Sequence, residues 1–390
     1  MKRKTLELLI AVIVTVLIWG CQNPATDLTK NTSASLSNLT ASTGTLSPEF
    51  ATAITSYSLS VSNVVTSITV TGTIANAGDT VSANNGVPQT LNVGTNTIII
   101  TVTSQDGTTI KNYVVTVYRN SSTPSDYTSA NIGTLKGIPA GSFHRDSTAN
   151  NVSTVSAFRM SQYEITRAQF LAVMGTDPSY TSHSTGLNDP VQNVSWYMAI
   201  AFCNKLSLAE GLTPVYEVNG VDFSTLSYSE IPSSNETNWN SATAIWTNNG
   251  YRLPSEMEWM WAAMGAIDDR TKAFSGSDGN NSIGDYAVFG YGTSEEGATT
   301  LNSSNIVGSK LPNELSVYDL SGNIFEYCWD LSAPYPNGIV TDYHGPVSGT
   351  NRICRGGSWI WDASRSTVSY RSSTSMPGAG YVMGLRVVRN

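Results

Sequence analysis

The chain has 390 residues and a formal net charge of −8, and 40% of its residues are hydrophobic. This length suits two domains better than one, and the apolar share is enough for packed cores, so a wholly disordered chain is excluded. Only 13% of the residues are charged, and the negative balance argues against a general nucleic-acid-binding surface. The three histidines, His144, His183 and His344, are far apart in the sequence, which argues against a histidine-rich metal centre.

Residues 1–20 have the organisation of a secretory leader. A basic start precedes an apolar run from Leu8 to Trp19 that is too short to span a membrane as a helix. The sequence ending at Cys21 resembles a bacterial lipobox, with Trp19 as a bulky departure. This resemblance implies acylation of Cys21, and hence an exported protein anchored by lipid to the outer membrane and exposed at the cell surface. An uncleaved N-terminal membrane helix is the alternative, and residues 21–34 are the expected polar tether.

Residues 35–119 carry short runs in which apolar and polar residues alternate, as in half-buried strands. Turn-forming Gly, Asn and Asp residues separate the runs, and the pattern predicts an all-β sandwich. Motifs such as Leu36-Ser-Asn-Leu39 and Tyr113-Val-Val-Thr-Val117 resemble the bacterial cadherin-like β-sandwich family. A spacer above the membrane is the favoured interpretation, an adhesive role is the alternative, and residues 120–134 are the expected linker. The predicted strands are Tyr57–Val61, Ser67–Thr71, Thr97–Thr103 and Tyr113–Val117.

Residues 135–390 mix helical and strand patterns, which predicts an α+β domain with many loops. In the first predicted helix, Ala168, Leu171 and Ala172 share one face. Ser195 is the expected N-cap of the second helix, and Pro254 is expected in the first turn of the third. The predicted helices are Thr166–Met174, Ser195–Ser207 and Pro254–Ala263.

Motifs in this second domain follow the order found in one enzyme family. They are Ile138-Pro-Ala-Gly141-Ser-Phe143, Tyr163-Glu-Ile-Thr166, Asp189-Pro-Val-Gln-Asn-Val-Ser-Trp196, Tyr251-Arg-Leu-Pro-Ser-Glu-Met-Glu-Trp259, Leu320-Ser-Gly-Asn-Ile-Phe-Glu326, Arg355-Gly-Gly-Ser-Trp359 and Gly384-Leu-Arg-Val387. Together they resemble the formylglycine-generating enzyme, or sulfatase-modifying factor, domain. The resemblance implies a C-type-lectin-like core with a small twisted antiparallel sheet, two helices and long loops.

The catalytic cysteines of that family are missing from this sequence. The resemblance implies an oxidase that uses copper and two cysteines after the Gly-Gly-Ser motif, and soft thiolates are the ligands that Cu(I) selects. The corresponding positions are Trp361 and Ser366, and no cysteine follows Cys354. We therefore expect a protein that is not an enzyme and binds no copper. An oxidase of the formylglycine-generating type, or a divergent enzyme on the same fold, is the alternative.

The other cysteines fit structural roles. Cys203 is expected on the buried face of a helix, where a free thiol behaves as a small apolar side chain. Cys328 and Cys354 flank motifs of the core sheet, and a disulfide between them is one possibility in an oxidising compartment. Their spacing alone does not establish the geometry that a disulfide needs.

The family holds a calcium ion in the loop that corresponds to Val317–Glu326. Carried over to this sequence, the resemblance implies a structural Ca²⁺ bound by the carboxylates of Asp319 and Glu326 and by the carbonyls of Gly322 and Ile324. The alternative is a buried loop whose acidic side chains cap backbone amides.

Residues 360–383 mix polar and aromatic side chains between two segments that keep the family motifs. Rigid aromatic rings and small hydroxyls are typical of antibody binding loops, and Arg365 and Arg371 are of the type that dominates binding energies. The framing resembles the variable proteins of diversity-generating retroelements, which implies a ligand-binding surface that differs between variants. The candidate ligand-binding residues are Ile360, Trp361, Asp362, Ser364, Arg365, Ser369, Tyr370, Ser372, Ser373, Thr374, Ser375 and Tyr381.

These observations predict a surface-displayed, non-catalytic lipoprotein that binds an unknown protein or cell-surface ligand through its C-terminal segment, and no nucleic acid. Two other interpretations stay open. One is a purely structural envelope lipoprotein, and the other is an inactive relative whose C-terminal segment only packs on the sheet.

Overall fold

The structure is a computed structural model that describes residues 30–63, 65–119, 123–268, 272–277 and 283–390. The chain divides into two compact units, one within the first 116 residues and one that contains Val117–Asn390. Cys21 and the predicted leader lie outside the described residues. In the described ranges, no helix has the length and apolar character needed to cross a membrane.

The first unit is the β-sandwich that the alternating pattern predicts. Its strands are β1 Leu36–Ala41, β2 Ser56–Val61, β3 Ser67–Ile74, β4 Thr80–Val81, β5 Pro88–Thr90, β6 Gly94–Thr103 and β7 Ile110–Arg119. One sheet has the order β1-β3-β5 and the other the order β2-β7-β6-β4. Side chains that alternate inward fill the core, with Leu36 and Ile68 from one sheet and Ile100 and Val115 from the other almost inaccessible to solvent.

The second unit is an α+β domain built from short strands and few helices. Its strands are β8 Tyr127–Ser129, β9 Gly133–Ile138, β10 Gly141–His144, β11 Val152–Val155, β12 Phe158–Ser161, β13 Tyr216–Glu217, β14 Thr243–Ala244, β15 Phe325–Leu331, β16 Val340–Thr341, β17 Asn351–Arg355, β18 Ser372–Ser375, β19 Met383–Gly384 and β20 Val388–Arg389. Its α-helices are α1 Arg167–Met174, α2 Trp196–Ala209, α3 Thr237–Asn240 and α4 Glu256–Ala263.

The strands of this unit form small sheets with the orders β18-β17-β15-β19, β20-β12-β9-β8 and β10-β11-β16, and β13 pairs with β14. Part of the segment predicted as a linker belongs to one of these sheets. Tyr127–Ser129 form β8, and β9 begins at Gly133. Tyr127 pairs with Leu135, so β8 extends the sheet at its edge. The N-terminal edge of the domain therefore lies earlier in the chain than the linker prediction placed it.

The helices begin at residues that can cap them. In α1 the side chains of Thr166 and Gln169 form a capping box, and the Ser195 hydroxyl caps α2 as predicted. The N-cap of α4 is Ser255, so Pro254 precedes this helix and does not stand in its first turn. The prediction for α4 was therefore wrong by two positions at its N-terminus.

The face of α1 that carries Leu171 and Ala172 points to solvent. The buried side chains of this helix include Phe170 and Met174. Phe170 stacks on Phe202 of α2 with ring centroids 5.2 Å apart. Aromatic packing between the helices therefore decides which face is buried.

Cys203, Cys328 and Cys354 are free, buried thiols. Cys203 packs as a small apolar residue in α2, as predicted. The possible disulfide between Cys328 and Cys354 is absent, and the strand register gives the reason. Cys354 lies opposite Tyr327, so Cys328, the next residue in β15, points to the other face of the sheet and into a different core.

A buried ion-pair network joins α4 to β17 and to the C-terminal segment. The Glu256 carboxylate accepts a hydrogen bond from Arg355 Nε at 2.9 Å, and two from Arg371, whose Nε and Nη2 lie 2.6 and 2.7 Å from its oxygens. Arg355 also donates to the carbonyl oxygens of Val368 and Tyr370. Burial alone would lower the pKa of the Arg371 guanidinium, but the Glu256 carboxylate raises it above its usual value. Charge-assisted hydrogen bonds therefore fix the base of the C-terminal segment to the core.

Replacing Glu256 by Gln tests this network. We expect Glu256→Gln to lower the free energy of unfolding by about 3–5 kcal/mol, because it leaves the buried Arg355 and the half-buried Arg371 without their counter-ion. Denaturant unfolding followed by tryptophan fluorescence measures the change. Glu296→Gln, at an exposed position, is the matched control and should stay within about 0.5 kcal/mol of the parent. Equal effects of the two substitutions would contradict the role of the network.

Asp330 of β15 lies beside this network. Its Oδ2 accepts a hydrogen bond from the backbone N–H of Glu256 at 2.8 Å, and its buried Oδ1 has no partner within the described part of the chain. Burial, together with the Glu256 carboxylate, raises the pKa of Asp330 well above its usual value. The folded protein therefore holds a proton on Asp330 more tightly than the unfolded chain does.

This raised pKa predicts a pH-dependent effect of Asp330→Asn. The stability that protonated Asp330 contributes is complete below the unfolded pKa of about 3.9 and is lost as the pH rises through the higher folded pKa. The thermal midpoint of the variant relative to the parent should therefore rise as the pH is increased from about 4 towards 8. Calorimetry over this pH series measures the difference, with the exposed Asp285→Asn as control. A difference that does not change with pH would contradict the prediction.

Candidate ligand-binding surface

A buried stretch of chain lies on each side of the C-terminal segment 360–383. Residues 355–359 precede it and residues 384–388 follow it, and both stretches are buried. Gly357 has a φ of 78°, and a Cβ atom on it would lie 2.5 Å from the carbonyl oxygen of Arg365. Glycine is therefore required where the segment folds back on its own start.

The candidate residues share one property, which is access to solvent. None of them is buried: Trp361, Ser364, Ser369, Ser375 and Tyr381 are exposed, and Ile360, Asp362, Arg365, Tyr370, Ser372, Ser373 and Thr374 are half-buried. Ser366, Val368 and Met376, which lie among them but are not candidates, are buried. The segment therefore separates side chains that hold it to the core from side chains that solvent can reach.

Trp361 and Arg365 form one part of the exposed surface. The Arg365 guanidinium lies over the Trp361 ring, 4.0 Å from its centroid, and a 3-10 helix over Ala363–Ser366 sets the spacing of the two. The carbonyl of Trp361 accepts a hydrogen bond of 2.7 Å from Gly290 N–H, and Ala363 N–H donates to Glu295 Oε2 at 3.1 Å. These contacts hold an aromatic ring and a cation in place before any ligand is present.

Ser372–Ser375 form β18, which is the edge strand of its sheet. Ser372 pairs with Cys354, and Ser375 pairs with Asn351. Because side chains alternate between the two faces of a strand, Ser373 and Ser375 face away from Ser372 and Thr374. The candidate residues therefore do not all lie on one face, which the sequence could not reveal.

Tyr381 belongs to an aromatic cluster that includes a residue not predicted for the site. The ring of His183 lies 4.7 Å from that of Tyr381 and 5.6 Å from that of the buried Trp359, centroid to centroid. Trp359 also contacts Tyr291 at 5.8 Å. His183 is far from Tyr381 in the sequence, so no local pattern could have indicated that they meet.

Arg371 is half-buried and bound to the core, although its residue type suggested a contact with the ligand. Its Nε and Nη2 each donate a hydrogen bond to the Glu256 carboxylate, and its Nη1 donates to the carbonyl oxygen of Ala333. An arginine bound in this way holds the segment in place and has few donors left for a ligand.

Trp361 and Ser366, which correspond to the family's catalytic cysteines, differ in their exposure to solvent. Trp361 is 38% exposed, whereas Ser366 is buried and its hydroxyl has no partner among the described residues. Neither side chain offers the thiolate that Cu(I) requires. In the part of the chain that the structure describes, no group of three or more His, Cys, Asp or Glu residues is placed to hold a metal ion.

The two carboxylates predicted to bind calcium are both buried but differ in their partners. Asp319 Oδ2 accepts a hydrogen bond of 2.7 Å from Gly308 N–H, while Oδ1 has no partner in the described ranges. Burial raises the pKa of Asp319 to about 6. Both oxygens of Glu326 already accept hydrogen bonds from Arg386, and one also accepts from Trp259 Nε1 at 2.7 Å. Asp319 therefore fits a cation, whereas Glu326 would first have to release Arg386.

The carbonyl donors of the predicted set lie in a tightly coiled loop. Gly322 has a φ of 84°, and a Cβ atom on it would lie 2.3 Å from the carbonyl oxygen of Val288. The Ile324 N–H donates to the buried carboxylate of Glu164, which also accepts from Asn323 Nδ2 at 2.6 Å. Glu164 was not predicted for this loop, because it lies far away in the sequence.

Calcium binding in this loop stays a prediction. If Asp319 is a ligand, a chelator lowers the thermal midpoint of the parent, while Asp319→Ala has a lower midpoint in calcium and no response to the chelator. Thermal unfolding with calcium and with chelator measures both. Glu296→Ala is the control and should respond as the parent does. A parent that does not respond to the chelator would remove the calcium prediction.

The fold and this surface define the class of protein: a cadherin-like β-sandwich followed by an α+β domain of the C-type-lectin-like, formylglycine-generating type. A model of the sulfatase-modifying factor enzyme 1-like domain matches residues 122–390, and a model of the cadherin-like beta sandwich domain matches residues 33–120. The chain belongs to the sulfatase-modifying factor enzyme 1-like family. Both family resemblances and the fold class are thereby confirmed.

Several known proteins are similar to this chain. The solved structure of Treponema denticola variable protein 1 is 36% identical, with a TM-score of 0.61, and the match covers 68% of this chain and 99% of that one. Chaperone protein LppX of Paenibacillus barcinonensis is 32% identical over 61% of this chain and 81% of its own length. A formylglycine-generating enzyme of Streptomyces coelicolor is 33% identical over 38% of this chain and 49% of its own length.

Proposed function

We propose that this protein is a non-catalytic ligand-binding lipoprotein whose C-terminal segment 360–383 is a variable-type binding surface on a C-type-lectin-like scaffold. The observation that carries the proposal is the contrast in burial between the candidate residues of this segment and the residues on either side of it. Each candidate residue has side-chain surface open to solvent, while residues 355–359 and 384–388 around the segment are buried. The likeness to Treponema denticola variable protein 1, at 36% identity, supports the same interpretation.

The chemistry of the surface suits recognition. Trp361, Arg365 and Tyr381 are of the residue types that contribute most of the energy in protein interfaces. The stacking of Arg365 on Trp361 and the packing of Tyr381 on His183 reduce the side-chain entropy lost when a ligand binds. Serine hydroxyls around them can donate or accept hydrogen bonds, and so suit many partners.

Catalysis of the formylglycine-generating type is the alternative. It would need a copper site at Trp361 and Ser366, which offer an indole ring and a hydroxyl in place of two thiolates. Copper uptake together with oxygen consumption in the presence of a cysteine-containing peptide would establish this activity and remove the proposal.

Display at the cell surface forms part of the proposal. Acylation of Cys21 would anchor the chain in the outer membrane, and the β-sandwich would hold the second domain away from it. Cys21→Ala should release the protein from the membrane fraction, and protease added to intact cells should remove the second domain of the parent. Protection of that domain in intact cells would contradict surface display.

Chaperone activity is a second candidate function, favoured by the 32% identity to Chaperone protein LppX over 81% of that protein's length. A chaperone should suppress the aggregation of an unfolded client protein, measured by light scattering. Aggregation at the rate of the client alone would remove this candidate.

Sequence variation in a population tests the variable-type surface directly. We expect substitutions at the candidate codons, because exposed side chains can change without loss of core packing. Ser366, Val368 and Met376 are the matched controls within the same segment, since they are buried and should not vary. Deep sequencing of this gene, together with a search for a near-copy of the codons for Arg355–Val387 beside a reverse-transcriptase gene, measures both. Substitutions spread evenly over buried and exposed codons would contradict diversification.

A further inference from the structure

We propose that the binding surface continues beyond the C-terminal segment into a fixed half, and that the whole surface fits a protein partner that presents an apolar side chain beside a basic one. The fixed half consists of His183, Leu187, Leu301 and Ile306, which lie in two loops of the second domain. The inference rests on the proposed function, because it describes the partner of the same surface.

Hydrogen bonds to backbone atoms hold the two loops of the fixed half against each other. The carbonyl oxygen of His183 accepts a hydrogen bond from Ser304 N–H at 3.2 Å, and its ring Nδ1 lies 3.1 Å from the carbonyl oxygen of Asn302. Further along, Val307 N–H donates to the carbonyl of Asn188 at 3.2 Å. Leu187 and Ile306 are the residues directly before this last pair, so the two loops come together where these apolar residues lie.

The fixed half also meets the C-terminal segment at both of its ends. At one end His183 packs on Tyr381, with ring centroids 4.7 Å apart. At the other end Thr299 N–H donates to the carbonyl of Phe289 at 2.7 Å, and the next residue, Gly290, donates to the carbonyl of Trp361. The loop that carries Leu301 therefore runs from the neighbourhood of Trp361 to that of Tyr381.

The exposed side chains along this path are large and apolar. Their exposed fractions are 38% for Trp361, 38% for Tyr381, 47% for Leu301, 52% for Ile306 and 51% for Leu187. Single exposed apolar residues are common on proteins, but several on connected loops mark an interaction surface. Aliphatic side chains at such a surface favour a protein partner, because the buried centre of a protein interface is apolar, whereas sugars are bound mainly by polar groups and aromatic rings.

The charges beside Trp361 indicate the polar part of the partner. Glu295 and Glu296 are exposed, Asp362 is half-buried, and Arg365 lies over the Trp361 ring. Glu295 is held beside the segment by the hydrogen bond from Ala363 N–H. These three carboxylates and one guanidinium together carry a net negative charge. A partner with a lysine or arginine next to its apolar anchor is complementary to it, and such complementarity raises the association rate and selects among partners.

The experiment selects binders from a phage-displayed library of random peptides against the full chain in detergent. Selected peptides should be rich in Lys or Arg next to an aromatic or aliphatic residue. Their affinity should fall by about tenfold or more for Leu301→Ser and for His183→Ala, and also for Tyr381→Ala, since each removes an interface anchor. Leu208→Ser is the matched control, because Leu208 is 39% exposed but lies in the last turn of α2. Circular dichroism of each variant confirms that it is folded.

Each other outcome has a distinct meaning. Peptides that lose affinity for Tyr381→Ala and Trp361→Ala but keep it for Leu301→Ser and His183→Ala would overturn the fixed half and leave the proposed function standing. Peptides that bind all of these variants equally would overturn both. Binding of glycans from an array, lost in Tyr381→Ala but kept in Leu301→Ser, would overturn the protein partner.

Discussion

The buried carboxylate of Glu256 is the contact on which the C-terminal half of the second domain depends. It accepts hydrogen bonds from Arg355, which precedes the Gly-Gly motif, and from Arg371, which lies within the segment 360–383. A charge buried in this way is stable only with its counter-ions in place, so the network tolerates little change. It fixes where the segment begins and where its second half returns to the sheet. The conformation of the exposed loop is therefore set by ion pairs at its base.

In this arrangement, the residues that stabilise the segment are different from the residues that a ligand can reach. Ser366, Val368 and Met376 point into the protein, whereas Trp361 and Tyr381 lie at the surface. A change in an outward residue alters few core contacts and has a small effect on stability, whereas a change in an inward one leaves a cavity or an unpaired polar group. The same logic applies to the other end of the segment, where Arg386 is bound to Glu326 beneath the surface. A scaffold of this kind can present different side chains without losing its fold.

The chain thus keeps the fold of the sulfatase-modifying factor enzyme 1-like family, with Trp361 and Ser366 at the positions where the family resemblance places two cysteines. The family motifs recur as buried contacts of this structure: Glu326 with Arg386, Glu258 with Arg252, and the Trp259 indole with Glu326. These pairs are buried in the core and support the architecture. Function in such a domain follows from the groups placed on the scaffold and not from the scaffold itself. Here the groups near the Gly-Gly-Ser motif are an indole, a guanidinium and hydroxyls, which are suited to binding.

The sequence by itself determined the two-domain organisation, the β-sandwich strands and the capping of α2 by Ser195. These features follow from local alternation, capping residues and motif order, which are properties of neighbouring residues. Only the tertiary structure decided that Cys328 and Cys354 point to opposite faces of the sheet. It also decided that Arg371 is bound to Glu256 and that the His183 ring packs on that of Tyr381. Each of these depends on strand register or on contacts between distant loops. Such contacts are fixed by packing of the whole domain, and therefore leave no pattern in the residues around them.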